Sequence, residues 1–166
     1  MLSEASGNLI LIGMPGSGKS TVGPLLAERT KREFVDTDDI IKAADGRELK
    51  DIVRDEGRER FLELQQSLIM SHRFTNCVIA TGGGVVISSK LMNYLKMIGT
   101  IIFLDENPEV LESRLAPERR LARAEGQTFG DVYRERRPLY LEYSDITIKC
   151  TGKAVDDIIQ EIMCNG

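Results

Sequence analysis

The chain has 166 residues, of which 42% are apolar and 29% charged, with a formal net charge of −4. This composition is typical of one globular domain with its own core and excludes a disordered chain, and the negative charge argues against a protein dedicated to nucleic acid. With one histidine and three cysteines that form no CxxC pair, a zinc site is not expected and the thiols are expected to be reduced.

Five short apolar segments predict buried β-strands, because each is nearly continuous rather than alternating, as in strands covered on both faces. They cover residues 8–13, 33–36, 77–82, 99–106 and 145–150. Helical patterns lie between them, at 19–31, 47–73 (in at least two pieces), 88–97, 108–115, 130–143 and 152–163. This alternation predicts a single α/β domain over residues 1–166, with a parallel sheet and helices on both faces.

Two connections are longer than a crossover between parallel strands requires. We predict a substrate-binding insertion at about residues 37–75 and a lid at about residues 116–130. Both follow strands at the edge where parallel sheets bind their ligands, so both are expected to border the functional site.

The first strand is followed by GMPGSGKST, which fits the pattern G-x-x-x-x-G-K-[ST] and precedes a predicted helix. Glycines let the backbone N–H groups of such a loop approach phosphate oxygens, and the helix N-terminus adds a positive dipole end. Lys19 is expected to reach the β- and γ-phosphates, and Ser20 is expected to ligate Mg²⁺. The motif predicts a nucleoside triphosphate site formed by Gly13, Pro15, Gly16, Ser17, Gly18, Lys19, Ser20 and Thr21.

Asp36 and Asp38 follow the second strand. If the backbone is still extended there, both carboxylates point the same way. A kinase that acts on a hydroxyl uses one carboxylate near Mg²⁺ and benefits from a second that positions the hydroxyl and accepts its proton. The alternative is a helix N-terminus rich in aspartate, which the helix dipole favours without any chemistry.

Three consecutive glycines, Gly82–Gly84, end the third strand and suggest that the backbone closely approaches a ligand, although a plain loop is the alternative. The later segment 116–129 is basic and aperiodic, and an arginine from it could stabilise charge on a transferred phosphoryl group. Arg136 and Arg137 lie in a second basic segment, next to Pro138. Several of these arginines are expected to be surface charges only.

Taken in order, GMPGSGKST, DTDDII, ATGGGVV and RRPLYLEYSD resemble the motifs of the shikimate kinase family, over essentially the whole chain. The resemblance implies the P-loop kinase fold of nucleoside-monophosphate-kinase type. This is a three-layer α/β sandwich with a five-stranded parallel sheet in the order 2-3-1-4-5, a helical substrate-binding region and a lid. It also implies ATP-dependent phosphorylation, with Mg²⁺, of a hydroxyl on a small anionic metabolite, for which shikimate giving shikimate 3-phosphate is the expected reaction.

The resemblance assigns roles to the residues around the phosphates. Lys19 matches the family's catalytic P-loop lysine, and Ser20 and Asp36 match the residues at Mg²⁺. Asp38 matches the aspartate that holds the substrate hydroxyls and is the candidate base.

The same resemblance assigns the rest of the site. Gly82, Gly83 and Gly84 match the glycines that contact the substrate, and Arg136 matches the arginine that binds the substrate carboxylate. Arg114 lies where an arginine typically packs near the adenine.

The lid departs from the family pattern. Family members usually carry R-P-L-L there, with the arginine on the phosphates, whereas this chain reads RRLAR. Arg120, or else Arg119, is the candidate for the arginine that closes over the phosphates.

The stretch GRERFLELQ departs from the family pattern G-E-x-x-F-R-x-x-E. Leu62 stands where the second carboxylate-binding arginine is expected, and Gln65 stands for the closing glutamate. Since residues four apart share one side of a helix, Arg58 is hypothesised to fill the volume of the missing arginine beside Phe61. Arg60 lies on the opposite edge and is expected to be solvated.

The altered acceptor half leaves alternatives to shikimate open. One is a kinase for another small hydroxy compound, such as a sugar acid, a polyol or a hydroxy amino acid; a nucleoside-monophosphate kinase fits the aspartate pair less well. A non-catalytic nucleotide-binding regulator is a third possibility, against which the intact aspartates argue. No N-K-x-D stretch for guanine is present.

The remaining expectations concern location and partners. The N-terminal residues MLSEASGN have no basic segment followed by an apolar one, so no signal peptide is expected, and no apolar run has the length of a membrane helix. We therefore expect a cytoplasmic monomer that binds a small-molecule substrate and neither nucleic acid nor membranes.

Overall fold

In the computed structural model, which describes residues 7–115 and 126–165, five strands form one parallel sheet. They are β1 (Asn8–Ile12), β2 (Glu33–Asp36), β3 (Cys77–Ala80), β4 (Gly99–Asp105) and β5 (Ile146–Lys149). Their order is β2-β3-β1-β4-β5, which confirms the order that the family resemblance implies. β1 is central, with Leu11 opposite Ala80 on β3 and Ile102 on β4.

Helices connect and cover the strands. They are α1 (Lys19–Thr30), α2 (Thr37–Asp45), α3 (Leu49–Glu56), α4 (Arg58–Ser71), α5 (Ser89–Ile98), α6 (Pro108–Arg114), α7 (Phe129–Tyr143) and α8 (Val155–Cys164), and a 3₁₀ turn occupies Gly83–Ile87. Within residues 7–115 and 126–165, none of them is long and apolar enough to cross a membrane.

The sheet separates two apolar layers. Because side chains alternate along a strand, Leu9 and Leu11 of β1 pack with residues of α1 and α8, such as Leu26. Ile10 and Ile12 pack on the other side, with residues of α4, α5 and α7. The central strands β1, β3 and β4 are thus buried on both faces, as their nearly continuous apolar sequences predict. The predicted burial is wrong for the edge strands β2 and β5, which are partly exposed.

The predicted insertion at 37–75 has a small core of its own. Ile41 of α2, Ile52 of α3 and Phe61 of α4 are buried against one another. The three helices therefore form one packed unit beside the carboxyl edge of β2, which holds the insertion in place.

The structure corrects one local expectation. The backbone is not extended through Asp38, because α2 starts at Thr37. The Asp36 carboxylate caps this helix by accepting a hydrogen bond of 2.9 Å from the Asp38 N–H, which stabilises the first turn. All five predicted strands are present, and α2 agrees with the alternative of a helix N-terminus at the aspartates. Most of the predicted lid, 116–130, lies outside the described residues.

Candidate active site

The loop between β1 and α1 has the backbone that its glycines predict. Gly13, Gly16 and Gly18 have φ angles of 151°, 85° and 106°, which residues with a side chain rarely adopt. The buried Lys19 ammonium donates to the carbonyl oxygens of Gly13 (2.6 Å) and Met14 (2.9 Å). The lysine thus lies folded over the loop, at the N-terminal end of α1, where the helix dipole favours an anion.

A cavity of about 360 Å³ opens above this loop, and we call it the nucleotide cavity. The P-loop residues from Pro15 to Val22 form one wall. The other walls are formed by Asp36, Asp38, Ala80, Thr81, Gly82, Gly83, Glu106, Arg114, Cys150, Lys153, Val155 and Ile158. The predicted triphosphate residues thus lie together, with Gly13 beneath the cavity as the partner of Lys19.

Asp36 and Asp38 both line the nucleotide cavity, although the backbone between them is helical. Partial burial raises the pKa of Asp36 above its ordinary value, and the Asp39 charge adds to this, while the Asp38 N–H and Lys19 oppose it. The ionised Asp36 carboxylate is therefore only partly compensated, and a cation at this position would stabilise it.

The donor set fits Mg²⁺. The Ser20 hydroxyl, at the first turn of α1, and the Asp36 carboxylate both line the nucleotide cavity, and both present the oxygen atoms that Mg²⁺ prefers. In the part of the chain that the structure describes, no group of three or more His, Cys, Asp or Glu side chains is placed to hold a metal. Mg²⁺ bound here would take its other ligands from phosphates and water.

A second cavity, of about 230 Å³, adjoins the first, and we call it the acceptor cavity. It is lined by Pro15, Asp38, Lys42, Glu48, Leu49, Lys50, Val53, Phe61, Gln65, Gly82, Gly83, Gly84 and Arg136. Asp38, Pro15, Gly82 and Gly83 belong to the walls of both cavities. A carboxylate therefore stands where the two cavities meet.

The glycine run is needed for close packing rather than for its backbone angles. A Cβ on Gly83 would lie 2.7 Å from Pro15 Cδ and 3.0 Å from Arg136 Nη1, so a side chain there would displace both. The Tyr140 hydroxyl donates to the Gly83 carbonyl at 2.5 Å, and burial raises the pKa of Tyr140 to about 12, so it stays a donor. Tyr140 thereby holds the glycine run from below.

Arg136 and Arg137 are placed in different surroundings, which settles a choice that the sequence leaves open. Arg136 is only 1% exposed and lines the acceptor cavity. Arg137 donates instead to both carboxylate oxygens of Asp105, at 3.2 and 2.9 Å. Of this pair, Arg136 is the one positioned to bind an anionic substrate group.

The altered stretch on α4 presents Phe61 and Gln65, rather than Arg58, to the acceptor cavity. Arg58 Nη2 donates to Glu135 on α7 at 3.2 Å, and Arg58 is not among the described residues that line the cavity. Leu62 packs against the small core of the insertion. The structure thus does not bring Arg58 to the volume that the sequence hypothesis gave it.

Of the two arginines expected at the nucleotide, Arg114 and Arg120, the structure describes Arg114. Arg114 lines the nucleotide cavity, where its Nη1 donates to the Gly16 carbonyl at 2.8 Å and its Nη2 lies 3.7 Å from Glu106. Arg120, like Arg119, lies outside the described residues. The role of Arg120 in the lid stays a prediction.

Sequence reasoning missed several residues of both cavities. Cys150, Lys153, Val155 and Ile158 line the nucleotide cavity, and Lys42, Glu48, Lys50 and Val53 line the acceptor cavity. The first group follows β5, whose carboxyl end shares the sheet edge with that of β1, so the rule for ligand sites in parallel sheets could have indicated it. The second group lies on α2, on α3 and at the residue that precedes α3, and it carries no comparable signal.

The fold and the two cavities together are those of a P-loop kinase with a three-layer α/β fold, in which the phosphate-binding loop adjoins a second polar cavity. Comparisons with known proteins agree. A model of the family described as shikimate kinase matches residues 15–165. The chain therefore belongs to the shikimate kinase family.

Individual relatives support this assignment. The chain is 37% identical to a shikimate kinase of Persephonella marina, with 94% of this chain and 96% of that one covered. It is 36% identical to a shikimate kinase of Symbiobacterium thermophilum, with 94% of each covered. The structure of an Acinetobacter baumannii shikimate kinase in complex with shikimate is similar, with 32% identity, a TM-score of 0.85 and coverage of 96% of this chain and 92% of that one.

Proposed function

We propose that the protein transfers the γ-phosphoryl group of ATP to a hydroxyl of shikimate, forming shikimate 3-phosphate. The observation that carries the proposal is the position of Asp38, whose carboxylate lies in the walls of both the nucleotide cavity and the acceptor cavity. Phosphoryl transfer between two bound molecules requires such a junction, because the attacking oxygen must lie in line with the leaving group.

The nucleotide side supplies positive charge and backbone donors. Lys19, now hydrogen-bonded to two loop carbonyls, is the cation within reach of the β- and γ-phosphates, and the N-terminal end of α1 adds its dipole. Mg²⁺ at Ser20 and Asp36 would neutralise charge on the phosphate oxygens. Arg114, hydrogen-bonded to the Gly16 carbonyl, is proposed to lie beside the bound nucleotide, and Arg120 is proposed to close over the phosphates.

The acceptor side orients the hydroxyl and the carboxylate of the substrate. Asp38 accepts the proton of the attacking hydroxyl as its oxygen bonds to the γ-phosphorus and ADP leaves. Arg136 binds the substrate carboxylate, since it is the buried cation of this cavity. Gly82, Gly83 and Gly84 form the wall along which the substrate lies, and Phe61 covers its apolar face.

Because only one of the two expected carboxylate-binding arginines is present, other groups must contribute to the affinity for the acceptor. Lys42 and Lys50 also border the acceptor cavity, but Lys42 lies 3.2 Å from Glu48 and is already paired. Arg58 forms an ion pair with Glu135 on α7, and its effect on substrate binding is proposed to pass through α7. These charges are compatible with an anionic acceptor of the size of shikimate.

The proposal is tested by following ADP release with Mg·ATP and a panel of acceptors. The panel contains shikimate, a sugar acid, a polyol and a hydroxy amino acid. We expect shikimate to give the highest kcat/KM. Turnover of another acceptor with shikimate at background would assign a different kinase activity, and background rates with every acceptor would favour a nucleotide-binding regulator.

A further inference from the structure

Glu106 is a buried carboxylate in the wall of the nucleotide cavity, and the proposed reaction assigns it no role. The residue is 5% exposed. Its Oε1 accepts hydrogen bonds from the Asn107 N–H at 2.9 Å and from the Thr151 hydroxyl at 2.5 Å. Its Oε2 lies 3.7 Å from Arg114 Nη2. One carboxylate thus connects the start of α6, the end of α6 and the turn that follows β5.

The sheet order shows which part of a nucleotide this carboxylate meets. The P-loop follows the central β1, Asp38 follows β2 at one edge of the sheet, and Glu106 follows β4 toward the other edge. With the γ-phosphate beside Asp38, as the proposed function requires, the nucleotide extends across the P-loop toward the ends of β4 and β5. This end of the cavity, which Arg114, Cys150 and Lys153 also line, therefore receives the nucleobase.

Arg114 depends on Glu106 for its orientation. Its Nη1 donates to the Gly16 carbonyl at 2.8 Å and its Nη2 faces the Glu106 carboxylate, so both ends of the guanidinium are held. Its side chain is 47% exposed and comes from the last residue of a short helix. With one contact alone it would keep much of its rotamer freedom. A guanidinium that is fixed in its plane can stack on an aromatic ring such as a nucleobase.

The turn after β5 is held by the same carboxylate. The backbone pairing of β4 with β5 continues to the Cys150 N–H, which donates to the Asp105 carbonyl at 2.8 Å. The bond from Thr151 to Glu106 extends this pairing by one residue on each segment, through side chains. Glu106 therefore fixes the turn against the end of β4, on the side of the cavity that receives the base.

We propose that Glu106 is a positioning residue for nucleotide recognition, whose carboxylate holds the Arg114 guanidinium and the turn at Thr151 in place before the nucleobase binds. Preorganised contacts of this kind favour binding, because fewer side chains lose freedom when the ligand arrives. The role rests on the proposed function for the identity of the nucleotide. It deepens that function by assigning order at the base end of the site to a residue that acts through two others.

The first test compares Glu106→Met with Glu112→Met, which removes an exposed carboxylate of α6. In Glu106→Met we expect the KM for ATP to rise about tenfold, as for loss of a charge-assisted contact. Its kcat and its KM for shikimate should stay within about twofold, because contacts to the base do not change during phosphoryl transfer. Glu106→Gln keeps an acceptor for Thr151 but loses the charge that faces Arg114, so its KM for ATP should be intermediate. Glu112→Met should leave all three values unchanged.

Titration calorimetry with ADP and with pyrophosphate, both with Mg²⁺, shows which part of the nucleotide is affected. Pyrophosphate keeps the two phosphates but lacks the ribose and the base. We expect Glu106→Met to weaken ADP binding about tenfold and to leave pyrophosphate binding unchanged, which also shows that the variant is folded. Equal losses for both ligands would overturn the proposal, because Glu106 would then support the P-loop through Arg114 and Gly16. Unchanged binding of both ligands would overturn it too.

A double-mutant cycle shows whether Glu106 acts through Arg114. Arg114→Met should weaken ADP binding by itself, and the double variant should lose clearly less than the two single effects combined. Additive effects would contradict positioning through Arg114. A failure of wild type to phosphorylate shikimate would count against the proposed function, whereas the ADP titrations do not involve the acceptor and still decide the role of Glu106.

Discussion

Arg136 Nη1 lies 3.0 Å from the position that a Cβ on Gly83 would occupy. The guanidinium is therefore pressed against the backbone of the glycine run and is held there by burial. This contact places the buried cation of α7 at the wall of the acceptor cavity, and it explains why residue 83 is a glycine although its φ is not positive.

Substitution of Arg136 by methionine should impair acceptor binding specifically. A charge-assisted contact contributes about 1.5–3 kcal/mol, so we expect the KM for shikimate to rise by roughly 10- to 150-fold. The KM for ATP should change little. Arg137→Met is the matched control: it removes the pair with Asp105, so it should lower Tm while the KM for shikimate stays unchanged. Equal KM effects in both variants would refute the role of Arg136.

Asp38→Asn should abolish turnover while ATP still binds. General-base catalysis contributes about 10²–10⁴-fold, so kcat should fall by at least two orders of magnitude. Asp39, which is exposed and follows in the same helical turn, supplies the control Asp39→Asn. Initial rates combined with a fluorescent ATP analogue separate catalysis from binding, and a turnover that survives in Asp38→Asn would remove the aspartate from the mechanism.

Asp36→Asn should make the ligand-free protein slightly more stable and less responsive to Mg²⁺. Because burial raises the pKa of Asp36 above 3.8, its stability contribution is lost as pH rises through the raised pKa, and the ionised group is unfavourable at neutral pH. Asparagine keeps the helix cap. In the presence of EDTA we expect a Tm increase of roughly 1–3 °C at neutral pH.

The effect of Asp36→Asn on Tm depends on pH. The Tm difference should vanish well below pH 3.8, where the aspartate is protonated in both folded and unfolded states. A difference that persists in acid would point to packing instead of charge. An unchanged Mg²⁺ dependence of the rate would exclude Asp36 as a metal ligand.

Arg58→Ala and Arg60→Ala distinguish the sequence hypothesis from the contact seen in the structure. If Arg58 bound the acceptor, its loss would raise the KM for shikimate far more than loss of Arg60. The pair with Glu135 instead predicts a small decrease in stability, about 1 kcal/mol or less for such a partly exposed ion pair, with similar KM values in both variants. Urea unfolding and initial rates measure the two effects, and a selective rise in KM would restore the hypothesis.

The sequence predicts the fold well because the decisive signals are local. Nearly continuous apolar strands predict a sheet whose central strands are buried on both faces, and a glycine-rich loop between strand and helix predicts a phosphate site. The sequence left the start of α2 open, because an aspartate such as Asp36 can both cap a helix and ligate a metal. A pattern of residue types does not say which of these roles the side chain takes in the chain.

The acceptor cavity was less predictable, because its residues come together through helix packing. A helical wheel gives the direction of Arg58 but not its partner, which lies on another helix 77 residues later. Gln65 could be noticed as a departure from the family pattern, whereas the approach of its oxygen to Asp38 across Gly82 depends on how α4 packs against the end of β3.

Whether the protein phosphorylates shikimate is decided by identifying the product formed from Mg·ATP and shikimate. Mass spectrometry and phosphorus NMR of the reaction mixture should show shikimate carrying one added phosphoryl group on its 3-hydroxyl, with ADP formed in equal amount. Hydrolysis of ATP to ADP and free phosphate, with shikimate recovered unchanged, would show that the protein is not a kinase for shikimate.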